Sequence, residues 1–180
     1  MSTLLVIDCE NIDAVLGLQI LNHKPHSFQR MDYAVLQPWF RKTLSESVKA
    51  FAVVREGNIE HRKKSGKFWG ALCQLGFQLV RAEAFAARQN LCRASAREVV
   101  DHVVGYLLAH ASTDNLVYVG HDFYAAEPLI SQRGRGARVF AAAFLEHLSS
   151  RVVDVVEDVF DLEQDIGAFR FPLPRLDIAV

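Results

Sequence analysis

The sequence predicts an α/β fold, a three-layer α/β/α sandwich with a central, mainly parallel sheet of about five strands. Three observations predict it. Short apolar runs alternate with helical stretches along the whole chain. The runs are nearly continuous in apolar character, as strands buried on both faces require. The 180 residues contain no linker, repeat or low-complexity tract, so they make one domain, 1–180, with a sizeable core.

Residues 4–7 (LLVI) form the first apolar run and end at Asp8. Residues 11–21 predict a helix, with Ile12, Val15, Leu16 and Ile20 along one side. The stretch 22–30 reads as loop. Asp32 can cap a second helix to about residue 45, which Pro38 must kink or divide. Residues 48–54 are the second strand. Residues 60–75 predict a basic helix closed by Gly76, a natural residue just past a helix end. Residues 77–82 are the third strand, and 83–94 are ambiguous. Ser95 and Glu98 make a capping-box pattern that opens a helix to about residue 111. Residues 116–119 are the fourth strand, followed by a helix over 123–132 that Gly134 and Gly136 stop. Residues 139–142 are the fifth strand, with a short helix at 146–150. Residues 154–165 hold six acids and no Lys or Arg, which suits the far side of the molecule or a partner surface. The tail from residue 169 is apolar with two prolines and reads as a packed, extended segment.

The totals exclude several classes. The chain is 51% hydrophobic and 23% charged, which fits a folded globular protein rather than a disordered one. A net charge of −1 leaves any nucleic-acid site to a local patch. The three cysteines, Cys9, Cys73 and Cys92, lack C-x-x-C spacing. Neither a disulfide framework nor a zinc site is expected, and a reducing cytoplasmic location is. The N-terminus lacks a basic start and has too short an apolar run for a signal peptide. No stretch approaches a membrane span, so no membrane partner is expected.

In an open parallel sheet, ligands bind beyond the carboxyl ends of the strands. Asp8 follows the first strand and Asp122 the fourth, while Asp101 lies early in the helix before the fourth. Three carboxylates from distant sequence can therefore meet at one edge. Such groups repel one another unless a cation joins them. Hard divalent ions take oxygen ligands of this kind, and a metal so held activates water. Asn11, one turn past Asp8, can orient Asp8 or a water. Each acid alone has a plainer role as a helix cap or a surface charge. Their joint placement is what points to chemistry.

At this point the motifs resemble a known family. "VIDCENI" resembles the opening D-x-x-N motif of the NYN domain family, LabA-like branch, in the PIN-like nuclease superfamily. The "VVD" ending at Asp101 resembles its central V-D helix, and "TDNLVYVGHDF" its strand and acidic turn. "LISQRGRGARVFAAAF" and "HLSSRVVDVVEDVFDLE" resemble its later segments. The similarity covers about residues 3–163, leaving 164–180 as a C-terminal extension. It implies a PIN-like sandwich and a metal-dependent ribonuclease site. Asp8, Asn11, Asp101 and Asp122 are the matching site residues, with Mg²⁺ or Mn²⁺ on the three aspartates. Two positions depart from the pattern. Gly120 stands where the family turn carries its first acid, and Glu98 stands where a basic residue precedes the V-D motif. Glu10, Glu98 and His121 are the candidate substitutes as ligands.

Residues 55–97 carry nine Lys or Arg against three acids. Arg62, Lys63, Lys64, Lys67 and Arg97 are the candidate contacts to nucleic acid, where each phosphate contact adds salt dependence. A solvated helix face explains the same charges. Phe68 and Trp69 can stack on bases, but a core role fits them better, with Phe68, Leu72 and Leu75 along a buried stripe. The glycines of "RGRGAR" (133–138) suit a helix stop better than an RNA-binding motif. The expected activity is RNA endonuclease, on single-stranded or structured RNA. The alternative is a catalytically weakened scaffold that binds RNA, because of Gly120. A small-nucleotide phosphohydrolase is a third reading, without a Walker-type loop to support it. A homodimer stays open.

Overall fold

A computed structural model describes residues 1–89 and 95–175. Cys92, Arg93 and the last five residues of the tail lie outside the described residues. Six strands form one parallel sheet in the order β3-β2-β1-β4-β5-β6. They are β1 (Ser2–Asp8), β2 (Ser47–Val54), β3 (Gln78–Arg81), β4 (Asn115–Val119), β5 (Arg138–Ala143) and β6 (Asp158–Asp161). The expected sandwich is present, with one strand more than the five apolar runs suggest. The added strand is β6, inside the acidic stretch.

Direction reverses between β1 and β4. The chain runs outward from β1 to β3, returns, and runs outward again from β4 to β6. Right-handed crossovers then place the helices of each half on opposite faces. Helices α1 (Cys9–Val15), α2 (Leu36–Thr43) and α3 (Ile59–Gln74) serve the first half. Helices α4 (Ala82–Arg88), α5 (Ala96–Ala109), α6 (Ala126–Gly134) and α7 (Ser150–Val153) cover the second face. Two cores result. One holds Leu5, Ile7, Ile12, Phe40 and Leu72, and the other Val6, Val100, Val104, Tyr118 and Leu129. The alternation of β1 side chains divides them, Leu5 and Ile7 to one side and Leu4 and Val6 to the other.

Local differences from the sequence expectation have local causes. The first helix begins at Cys9 and continues as a π-helix over Leu16–Ile20. The helix expected from Asp32 is divided: a 3₁₀ turn, Tyr33–Val35, precedes α2, and Pro38 sits in the first turn of α2, where a backbone N–H has no helical partner to lose. Gly76 ends α3 with φ of 84°, and Gly136 follows α6 with φ of 92°. The ambiguous stretch contains α4. The expected helix at 146–150 is instead a 3₁₀ turn, Leu145–His147, followed by α7. Among the described residues, no helix is long and apolar enough to cross a membrane.

Candidate metal centre

The reversal between β1 and β4 opens a crevice at their carboxyl ends, the usual ligand position in such sheets. Asp8 ends β1, and Ile7 pairs with Val119, the end of β4. The Asp8 carboxylate caps α1 by accepting from the Asn11 backbone N–H at 2.9 Å. It is fully buried. Asp122 lies just past β4. Asp101 enters from the first turns of α5, which Ser95 and Glu98 start with a reciprocal capping box. One oxygen from each of Asp8, Asp101 and Asp122 lies within 4.8 Å of the others. The three acids meet as the sequence predicts.

Arg97 joins them. It lies four residues before Asp101, on the same face of α5. Its Nη2 is 3.0 Å from Asp8 Oδ2 and also pairs with Asp122 Oδ2. Its Nε is 2.8 Å from Asp101 Oδ1, an ion pair whose angle makes no hydrogen bond. The basic residue at the cluster is thus Arg97, directly before Glu98. Arg97 binds acids here, and its role as a phosphate contact requires it to leave them.

Asn11 acts differently from expectation. Its amide oxygen accepts from the His121 backbone N–H at 2.8 Å and faces His121 Nδ1 at 2.7 Å. His121 Nε2 accepts from the Phe144 backbone N–H at 2.9 Å, so the ring proton is on Nδ1 and donates to Asn11. The Asn11 amide nitrogen is left to donate, and it does so to Asp122 Oδ2 at 2.9 Å. The side chain therefore orients Asp122, while its backbone orients Asp8. Burial pushes His121 down to about 3, so the ring is neutral near pH 7. With both nitrogens engaged, His121 is a brace rather than a ligand or general base.

The other two candidate substitutes also stay outside the cluster. Glu98 is exposed and accepts from the Ser95 N–H at 2.6 Å. Glu10 pairs with Arg55 at 3.7 Å. The space beside Gly120 is taken by a tyrosine. A Cβ at Gly120 would lie 2.5 Å from the Tyr118 hydroxyl and 2.6 Å from its Cζ. The Tyr118 hydroxyl accepts from the Asp122 N–H at 3.2 Å and hydrogen-bonds to Tyr124. Tyr124 in turn donates to Asp8 Oδ2 at 2.6 Å. Two phenols thus line the site beside Gly120. Sequence reasoning missed Arg97 as a cluster member and missed both tyrosines. The i, i+4 spacing of Arg97 and Asp101 was the available signal for the first.

Burial raises the Asp8 carboxyl, and Arg97, Tyr124 and the Asn11 N–H offset it only in part. Burial also raises Asp101, to about 6, against Arg97 and with help from its two acidic neighbours. Burial pushes the Cys9 thiol up, so it is no nucleophile.

A hard divalent cation fits this donor set. The three carboxylates are oxygen ligands from rigid elements. With Arg97 they sum to about −2 when ionised, which a dication neutralises. An octahedral ion with bonds near ~2.1 Å spans about 4.2 Å between opposite ligands. Adjacent ligands on such an ion lie about 3.0 Å apart. The three oxygens, within 4.8 Å of one another, must therefore draw together, and Arg97 must release the ones it shares.

The fold and site define a class: a parallel α/β sandwich with an acid pocket at its reversal point. The chain matches no family model and no curated protein. Among solved structures, a protein of unknown function from Vibrio parahaemolyticus is similar, with a TM-score of 0.62 and 14% identity. The likeness covers 92% of this chain and 94% of that one, and it shows the fold.

Proposed function

We propose that this protein is a metal-dependent RNA endonuclease of the NYN, PIN-like kind. One observation carries the reading. Asp8 and two carboxylates more than ninety positions downstream of it converge at the sheet reversal, and two of the three are held above their ordinary range. Perturbed carboxyls in a cleft are typical of working sites. The motif resemblance supports the same reading. The free thiols of Cys9 and Cys73 suit a cytoplasmic protein.

Asp8, Asp101 and Asp122 would hold Mg²⁺ or Mn²⁺. When bound, the ion lowers the pKa of a water and offsets charge on the phosphate oxygens. Asn11 fixes the Asp122 rotamer, and neutral His121 fixes Asn11. Tyr124 holds Asp8 in place. Arg97, released from Asp8 and Asp122, can bind a phosphate oxygen pair through its planar fork. Arg62, Lys63 and Lys67 are exposed on α3 and can attract the strand from solution.

A second reading has its own support. Arg97 already bridges all three acids, and Gly120 cannot carry a side chain while Tyr118 stays in place. The arginine would then serve as an internal cation in an RNA-binding scaffold without turnover. The two readings separate in one assay. RNA cleavage should require Mn²⁺ or Mg²⁺, stop with EDTA, and fall at least about 100-fold in Asp8→Asn, since a lost ligand removes several kcal/mol of transition-state stabilisation. Cleavage that persists in EDTA or in that variant rules out the metal mechanism, and RNA binding without turnover favours the scaffold.

A further inference from the structure

A second depression opens at the same sheet edge, on the side of α1 and α3. Its volume is about 350 Å³, at the small end of ligand pockets and enough for one nucleotide. Cys9 and Glu10 line it, and they directly follow Asp8, so the pocket adjoins the acid cluster along the chain.

Its chemistry is cationic and aromatic. Lys24, Arg30, Arg55 and Lys64 line it, against the acids Glu10 and Asp13. That is a local excess of two positive charges in a chain of net −1. Arg30 meets Asp13 at 3.2 Å, but Arg55 reaches Glu10 only at 3.7 Å. The buried Arg55 Nε makes no hydrogen bond, which is rare for an interior donor. Lys64 pairs with Glu60 on the exposed surface, where an ion pair is weak and readily exchanged. Lys24 is exposed in the loop after α1. Phe68 and Trp69 form an apolar wall, each only partly buried.

We infer that this pocket takes one unpaired nucleotide of a single-stranded RNA, next to the phosphodiester presented to the acids. Lys24, Arg55 and Lys64 hold its phosphate, and Trp69 and Phe68 receive its base. A base can stack on an aromatic wall only when it is out of a duplex, so the pocket selects single strands. The placement of the scissile bond rests on the nuclease reading, but occupancy of the pocket does not.

The test therefore reads binding in EDTA, where turnover is absent. A fluorescein-labelled 12-nucleotide RNA and its duplex are titrated into the full chain. The single strand should bind at least tenfold tighter than the duplex. Lys24→Gln with Lys64→Gln, both exposed positions, should weaken it at least tenfold. The double variant should also lower the slope of log K against log salt by about 1.4, two contacts at ~0.7 each. Trp69→Leu should weaken the single strand and leave the duplex unchanged. Equal binding of strand and duplex, or no effect of the lysine pair, overturns the inference even if RNA is cleaved. Protection of the pocket by AMP that the 12-mer does not compete away also overturns it. The expected binding with no cleavage in Mn²⁺ keeps the pocket and removes the nuclease reading instead.

Discussion

Arg97 and Arg175 each face three carboxylates, but the acids around them respond in opposite directions. Arg175 reaches back from the C-terminal segment to Glu146, Asp161 and Glu163. Its Nη1 and Nη2 meet the two Asp161 oxygens at 2.9 and 2.8 Å, a two-pronged pair. Asp161 also accepts the Glu163 and Gln164 N–H groups at 2.8 Å each. Burial works against the Asp161 anion, yet Arg175 and those N–H groups hold it below the usual carboxylate range. Glu146 is lowered in the same way. At Arg97 the nominal charges are the same, but burial wins at Asp8 and Asp101. The difference lies in the donors. Asp161 is fully supplied, whereas Asp101 Oδ1 has an ion pair without a hydrogen bond; Asp8 has three donors, and its complete burial outweighs them. One cluster is a closed clamp, and the other keeps negative potential that a further cation can use.

The largest expected effect breaks the clamp. Arg175→Ala leaves Asp161, 2% exposed, without its main counter-charge. Removing one partner of a buried pair costs about 3–5 kcal/mol. Urea unfolding should show a loss of that size relative to the wild type, and the same loss when both proteins carry saturating Mn²⁺. A loss below about 1 kcal/mol would mean that the tail pairing is a surface contact, and the contrast between the clusters would fail.

Arg97→Gln sharpens the comparison from the other side. The Arg97 side chain is 37% exposed, so water shares in stabilising it. A loss of about 1–2 kcal/mol is expected without divalent ions, the scale of charged hydrogen bonds. Mn²⁺ should recover it, because the freed oxygens are the candidate ligands, and saturation at about 100 times Kd adds about 2.7 kcal/mol. Thermal denaturation with and without Mn²⁺ gives the answer. The absence of any Mn²⁺ shift in this variant would show that the Arg97 acids do not form an ion site.

These contrasts mark where the sequence was legible. Strands β1 to β5 are apolar runs, and their order of appearance predicts a parallel sheet. Strand β6, Asp158–Asp161, does not read as an apolar run because it has an acid at each end and lies at an edge, where charge is common; only the resemblance of "HLSSRVVDVVEDVFDLE" to a closing segment that ends in an acidic strand points to it. The convergence of Asp8, Asp101 and Asp122 followed from the rule for sheet edges. Arg97 did not follow, because a long flexible side chain can point to solvent or inward from the same backbone position. The Asn11–His121 brace joins residues 110 apart, and nothing local marks it. Lys24 and Arg30 sit in an aperiodic loop, so only the folded chain places them beside Arg55. The acidic stretch 154–165 read as a far side or partner surface, but two of its acids, Asp161 and Glu163, face the protein's own Arg175.

The smallest effect is in the pH dependence, and it separates the clusters by sign. Asp101 titrates near 6 when folded and near its ordinary 3.8 when unfolded. Between those values the folded state holds the proton more often, so stability falls as pH rises through the window. Acidification from pH 7 to 5 should therefore stabilise the protein through Asp101. Glu146 and Asp161 behave oppositely, because their lowered values supply stability above pH 4.5 and lose it only in stronger acid. Urea midpoints at pH 7 and 5 should differ between the wild type and Asp101→Asn by up to about 1 kcal/mol, within the 1.36 kcal/mol that one unit represents. The comparison with the variant cancels the histidines, which titrate in both. Mn²⁺ should reverse the slope in the wild type, since protons then compete with the ion for the same oxygen. Identical slopes in the two proteins would place Asp101 in an ordinary solvated state and leave Asp8 as the site's only strained carboxyl.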